Sequence, residues 1–207
     1  SIRRQRQMCI RDRLALVIGG VVLIYSAAYL PARQGNVSFY TIMTAFTLSV
    51  LLLVLAGDAV LLFIGWELVS IASFLLIARS GSSGEAGSYR TLMLTFFGGL
   101  TLLAALAIVS IQAGTTSLTG ILAADFWHDD SKLVTGVAVL IALSAFTKAA
   151  QFPFHFWLPE AMAAATPVSA FLHAAAVVKA GIYLLLRFST VLASVPEWNQ
   201  LLLVTGL

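Results

Sequence analysis

Charge is what this chain has least of. Of its 207 residues 10% are Asp, Glu, Lys or Arg and 60% are hydrophobic, and the mean hydropathy is +0.97. A soluble domain carries about 25% charged residues, so that class is excluded. Cysteine is nearly absent as well. Cys9 stands alone, which rules out an internal disulfide, and no Cys/His group has metal-ligand spacing. Redox or zinc chemistry is therefore not expected, and neither a cofactor nor a metal is assigned. The apolar runs also lack period-two alternation and have helical length, which favours helices over a barrel. The expected fold class is an all-α membrane protein, a polytopic transmembrane helix bundle with a discontinuous helix. About six complete spans are expected, plus the start of a seventh.

The charge that is present gathers at one end. Arg3, Arg4, Arg6, Arg11 and Arg13 are five of the twelve basic residues. From Leu14 onward seven Lys/Arg face eight Asp/Glu, a net of −1 against +3 for the whole. The basic balance thus belongs to the tail, and no nucleic-acid partner is expected. SIRRQRQMCIRDR breaks abruptly into LALVIGG and resembles a translated adapter sequence; a basic segment lying against anionic lipid is the other reading. No small-residue cleavage site follows, which argues against a signal peptide. Residues 1–13 are accordingly read as a non-native or disordered basic tail, and residues 14–207 as one transmembrane domain.

Taken in order, the first expected span is 14–30, stopped by Pro31. The second, 37–56, carries Ser38, Thr41, Thr44, Thr47 and Ser49, hydroxyls that can bond back to their own helix or to a neighbour. Asp58 is a plausible N-cap for the third, 59–77. The fourth, 89–113, has Gly98-Gly99 at its middle, small enough for close packing. A fifth starts near Lys132 and is interrupted by Pro153; a sixth, 166–187, opens with Thr166-Pro167 as N-cap and first helical residue. Residues 199–207 begin a seventh that the sequence does not finish, so the chain is expected to be part of a longer protein. RSGSSGEAGS, from Arg79 to Ser88, reads as a flexible loop. Residues 114–131 read as a loop with an acidic cluster and the interfacial Trp127. Alternating spans put Arg33, Arg79 and Arg90 on one side and Lys132 and Arg187 on the other, which favours the first as cytoplasmic.

Several ionisable residues interrupt this apolar background: Glu67 in the third span, and Lys148, His155, Glu160, His173 and Lys179 within 144–187. Each such group at the bilayer centre costs about 2.5 to 3.5 kcal/mol on insertion scales, so their presence needs a reason; ion movement supplies one. Glu67 lies about 13 Å along the axis from Asp58, near the midplane. It is either a proton-carrying or lysine-paired carboxylate, or a neutral Glu hydrogen-bonded to a neighbouring helix. Lys148 sits about 24 Å from the start of its helix, where Pro153 deprives carbonyls near Ala149 and Ala150 of helical partners. FPFHFWLPEAM after the break looks like a short half-helix or re-entrant piece, the construction that transporters use at ion sites. His155 either lines a cavity there or packs at an interface. His173 and Lys179 lie about 9 Å apart along one helix, at different depths, and can face one polar axis. His128 reads either as a proton relay at the mouth of a pathway or as a solvated loop histidine.

GWELVSIASFLLI, followed by TKAAQFPFHFWLPEAMAAATPVSAFLHAAAVVKAGIYLLLRF, resembles the antiporter-like membrane subunits of respiratory complex I, membrane-bound hydrogenases and Mrp-type sodium/proton antiporters. FFGGLTLLA, FHFWLP and VVKAG bring the likeness nearest to the large subunit of the Mrp type. The resemblance covers about 14–207. It implies that Glu67 is the glutamate pairing with the lysine of a broken helix, that Lys148 is that lysine and the central proton carrier, and that His173 and Lys179 are relay residues. Ala165 departs from the family, which usually has proline before Thr-Pro. The family builds two inverted five-helix repeats, of which this chain would hold most of the first.

The function expected is a membrane subunit of a multisubunit cation/proton antiporter, an ion transporter and not an enzyme, moving protons in exchange for Na+. Glu67, Lys148, His173 and Lys179 would carry the protons, with His155 and His128 as accessory candidates. Its expected partners are other membrane subunits of a hetero-oligomeric antiporter or respiratory complex, the lipid bilayer, H+ and Na+, in a prokaryotic plasma membrane. Two alternatives stand beside it: a proton-pumping subunit of complex I or a membrane-bound hydrogenase, and a structural scaffold whose buried charges only fix helix packing.

Overall fold

The computed structural model describes residues 17–29, 36–79, 82–129, 131–162, 166–174 and 177–206. The basic run 1–13 and Ala165 lie outside them. Among the described residues every regular element is a helix, and pairing of strand type is confined to an isolated bridge between Asp58 and Ser117.

The helices are α1 (Val17–Tyr29), α2 (Asn36–Leu55), α3 (Ala59–Ala78), α4 (Ser82–Ala113), α5 (Leu118–Leu122), α6 (Phe126–Asp129) and α7 (Ser131–Lys148). A 3₁₀ turn (Phe154–Phe156) then leads into α8 (Trp157–Ala161), α9 (Thr166–Ala174), α10 (Val177–Leu192) and α11 (Pro196–Gly206). Packing runs α2 on α3, α3 on α4, α4 on α7 and α7 on α10. That order brings α3 and α7, the helices of Glu67 and Lys148, to either side of α4.

Local chemistry accounts for the boundaries. Asp58 is extended (φ −125°, ψ 145°) and its side chain accepts from the Val60 amide at 2.8 Å, the N-cap expected of it. On α2 the hydroxyls of Thr41, Thr47 and Ser49 donate to carbonyls four residues back, at 2.9, 3.0 and 2.7 Å. They satisfy themselves within their helix and ask nothing of a neighbour.

Among the described residues four helical segments are long and apolar enough to cross a membrane: Val37–Leu55, Ala59–Ala78, Gly87–Ala113 and Thr166–Leu192. The described part of the first expected span, Val17–Tyr29, is apolar and shorter. On α7, Val134, Val137, Ala138, Ile141, Ala142 and Ala145 are buried. Two expectations need correction. First, the Gly/Ser stretch before Tyr89 is helical from Ser82. Composition is a weak prior there: Ser88 is buried, and the Thr91 hydroxyl donates to the Gly87 carbonyl at 2.8 Å. Second, 114–131 is not simply a loop, because α5 and α6 fold within it. Leu118, Ile121 and Trp127 enter the core, and the Trp127 indole donates to the Ile121 carbonyl at 2.8 Å.

Two apolar clusters make the interior. One gathers Leu62, Trp66, Leu102, Ala145, Phe146, Leu184 and Trp198; the other gathers Phe46, Val69, Leu76, Trp157, Phe171 and Leu172. α3 contributes to both clusters and α7 to the first, and these two helices also carry buried polar residues: Ser70, Ser73, Ser144, Thr147 and Lys148.

Candidate functional site

α7 stops at Lys148, and the manner of stopping builds the site. Ala150 is left-handed (φ 51°), and the next amide, of Gln151, donates to the Phe146 carbonyl at 3.0 Å. This is the long bond of a Schellman end, which normally uses glycine at the left-handed position. The Trp157 indole donates to the Thr147 carbonyl at 2.8 Å. The last turn is therefore served, and of the two carbonyls expected to lose helical partners, that of Ala149 accepts from the Gln151 side-chain amide at 3.5 Å. After the break the 3₁₀ turn and α8 form the short half-helix that the aromatic run suggested.

Lys148 is wholly buried. Its ammonium donates to the Trp66 carbonyl at 2.7 Å and to the Ser70 hydroxyl at 2.6 Å, and it stands 4.4 Å from the Trp66 ring centroid. Ser70 in turn donates to the Trp66 carbonyl at 3.1 Å. Two charge-assisted hydrogen bonds and an aromatic face offset the loss of water around the cation. A helix carbonyl already used by its own ladder thus becomes a cradle for a charge from 82 residues away.

Glu67 follows Trp66 on α3. No ion pair joins it to Lys148; the two are near enough for their charges to interact. One carboxyl oxygen, Oε1, is buried with no hydrogen-bond partner among the described residues, and the carboxyl lies against Gly99 of α4. A lysine anchored to α3 and an untethered carboxyl beside it can exchange proximity without breaking a helix.

The other candidates fall outside this pair. Lys179 is exposed, on the side of α10 away from its buried stripe of Val177, Ala180, Gly181, Leu184 and Phe188, and is not brought to Lys148. His173 belongs to α9, and its side chain, like that of Glu160 on α8, lies outside the described residues. His155 is exposed in the 3₁₀ turn, stacked on Phe152 with centroids 5.9 Å apart. His128 is exposed on α6 and lines an open cleft of about 630 Å³ with Lys132, Thr135, Ser194 and Glu197.

A family model described as NADH:quinone oxidoreductase/Mrp antiporter, TM, matches residues 56–207. The chain belongs to this family. Among its relatives is the protein of Staphylococcus saprophyticus named as antiporter subunit mnhA2, 46% identical over 182 residues, which cover 86% of this chain and 23% of that protein. The protein of the same name in Staphylococcus aureus strain MRSA252 is 43% identical over 194 residues, 92% of this chain and 24% of that one. A solved structure of the Mrp complex from Dietzia sp. DQ12-45-1b aligns with a TM-score of 0.94 at 51% identity, covering 96% of this chain and 22% of its counterpart. The chain thus spans about a quarter of the length of these NADH:quinone oxidoreductase/Mrp antiporter relatives.

Sequence reasoning had missed Ser70 and the Trp66 carbonyl. Ser70 lies one turn beyond Trp66 on the buried side of α3, so a hydroxyl on the core face of the glutamate's own helix was the available signal. Nothing in the sequence could have pointed to a particular carbonyl. Also unforeseen is the chain in which Arg187 donates to the Tyr183 hydroxyl at 2.7 Å and that hydroxyl donates to the Val54 carbonyl at 3.1 Å, tying α10 to α2.

Proposed function

We propose that this chain is part of a membrane subunit of a multisubunit cation/proton antiporter and that residues 14–207 form its proton-translocating domain. The observation carrying this reading is Lys148: fully buried at the end of a broken helix, fixed to α3 one residue from a carboxyl with an unpartnered oxygen. Such an arrangement is costly as scaffolding, since apolar residues of similar volume would serve packing as well or better. Kinship with proteins named as antiporter subunits supports it.

In this mechanism Lys148 is the proton carrier and the changing distance of the Glu67 carboxyl decides whether it holds its proton. Ser70 and the Trp66 carbonyl stabilise the ammonium until release. His173 and Lys179 pass the proton on toward the remainder of the longer subunit, which would cover the exposed face of α10 where Lys179 stands. His155 and His128 would serve at the approaches. Na+ is the exchanged cation, the other antiporter subunits are the partners, and the site of action is a prokaryotic plasma membrane.

The test is Lys148→Ala in the complete antiporter, followed as cation-driven proton movement in inverted vesicles. Transport should disappear while the complex still assembles. Full exchange by an assembled variant would sink the reading and leave the scaffold in its place.

A further inference from the structure

α4 runs between the two helices of the site, and it presents two adjacent buried glycines there, Gly98 and Gly99. Their surroundings differ from those of Gly65 and Gly181, whereas Gly19 and Gly120 too are closed by a threonine side chain, that of Thr47 and that of Thr115. A Cβ at Gly65 would meet the backbone of Leu53, at 2.8 Å from its nitrogen and 2.9 Å from its Cα; one at Gly181 would meet the Ala145 carbonyl oxygen at 2.5 Å and the Ala149 nitrogen at 2.9 Å. Those two let helix backbones cross closely. At Gly99 the three atoms nearest to a Cβ all belong to one carboxyl group: Glu67 Oε1 in direct overlap, Cδ at 2.9 Å and Oε2 at 3.4 Å. At Gly98 the overlap is with the Thr147 hydroxyl, whose Cβ would stand 3.1 Å away, beside the Ser144 carbonyl oxygen at 3.5 Å.

Glycine inside a helix is unfavourable relative to alanine, so these positions run against the helix that carries them. Spacing between backbones explains Gly65 and Gly181. It does not explain Gly99, where the room is filled by a titratable side chain that makes no hydrogen bond from its buried oxygen.

We propose that Gly99 is a positioning residue for proton transfer: the absent side chain is the seat that receives the Glu67 carboxyl and sets its separation from the Lys148 ammonium. Gly98 does the same for Thr147, the residue before Lys148, so that one helix gauges both members of the pair. The inference rests on the reading of Glu67 and Lys148 as proton carriers.

In the complete antiporter, Gly99→Ala should push the carboxyl off α4, lower cation/proton exchange by about tenfold and shift its pH profile. Glu67→Asp, shorter by one methylene, should restore exchange when combined with Gly99→Ala to a level above either single variant. Gly136→Ala on α7, where a Cβ meets nothing within 4 Å, should change neither rate nor profile. A Gly99→Ala antiporter with the original rate and pH profile overturns the proposal, as does a loss that Glu67→Asp fails to relieve. If Gly99→Ala does not assemble, adding Glu67→Ala decides: recovered assembly places the clash at the carboxyl, and continued failure places it elsewhere and overturns the seat. Exchange that survives Lys148→Ala would instead strike the functional reading, whatever Gly99 does.

Discussion

Two helix ends in this chain use the same turn and differ in the residue that makes it. At the end of α4, Gly114 is left-handed (φ 64°) and the Thr115 amide donates to the Ser110 carbonyl at 3.2 Å. At the end of α7, Ala150 takes the corresponding conformation (φ 51°) and the Gln151 amide donates to the Phe146 carbonyl at 3.0 Å. Glycine enters the left-handed region freely, while alanine pays roughly 1–2 kcal/mol for its Cβ. The strained end is the one beside Lys148. Strain of this kind persists where the surroundings over-determine the backbone, and it gathers at functional sites. Alanine also narrows the alternatives open to the turn, which glycine would widen.

The two ends are held differently. The segment after α4 is clipped to the start of α3 by an exposed side-chain bond, the Thr116 hydroxyl donating to Asp58 at 2.5 Å, and by two backbone bonds, the Ala59 amide to the Thr116 carbonyl at 2.8 Å and the Leu118 amide to the Gly57 carbonyl at 2.9 Å. The end of α7 is held by the buried Trp157 indole on the Thr147 carbonyl. Losing that donor is the sharpest way to break the comparison. Trp157→Phe keeps an aromatic ring in place but leaves a buried carbonyl without its partner, at a cost of about 1–3 kcal/mol, to which the smaller ring adds a cavity. Thermal denaturation of the solubilised complex should show this as a lowered midpoint. An unchanged midpoint would mean that the turn holds itself.

Exchanging the two turn residues sharpens the contrast. Gly114→Ala should destabilise by about 0.5–1 kcal/mol, the strain already present at Ala150 less the reduced freedom of the unfolded chain. Ala150→Gly should stabilise by about 0.5–1 kcal/mol, because the relief of strain is partly offset by the greater freedom of the unfolded chain. Denaturation midpoints of the two variants should move in opposite directions. Movement in the same direction would show that the ends are not equivalent turns.

Much of this was legible in the sequence because it depends on local order. The apolar runs gave the main helices, Asp58 announced the start of α3, and Pro153 announced a break just past Lys148. Burial cost alone singled out Glu67 and Lys148. What could not be read depends on packing between distant segments. Ser70 and Lys148 are 78 residues apart, on two helices that both pack against α4. The helical Ser82–Ser88 was hidden because Gly/Ser composition describes a free chain, whereas Gly87 and Ser88 are buried against neighbours. The position of Lys179 was recoverable: it falls off the three-four spacing of Val177, Ala180, Leu184 and Phe188, which marks the packed side of α10.

The smallest expected effect belongs to the exposed clip at α4. The Thr116 hydroxyl, and after it the Val60 amide, hold the Asp58 carboxyl below its ordinary value of 3.8. Hydrogen bonds to the charged form favour that form, so folding lowers the proton affinity of this group. Its contribution to stability is then fully present above pH 3.8 and is lost as pH falls through the lowered native value. Asp58→Asn should lower the denaturation midpoint slightly at neutral pH, since water screens so exposed a group. The gap between variant and parent should close as acid protonates the parent's carboxyl. A gap that persists unchanged into strong acid would show that the clip acts through hydrogen-bond geometry alone, independent of the charge on Asp58, and the contrast with the buried indole at α7 would then be one of burial only.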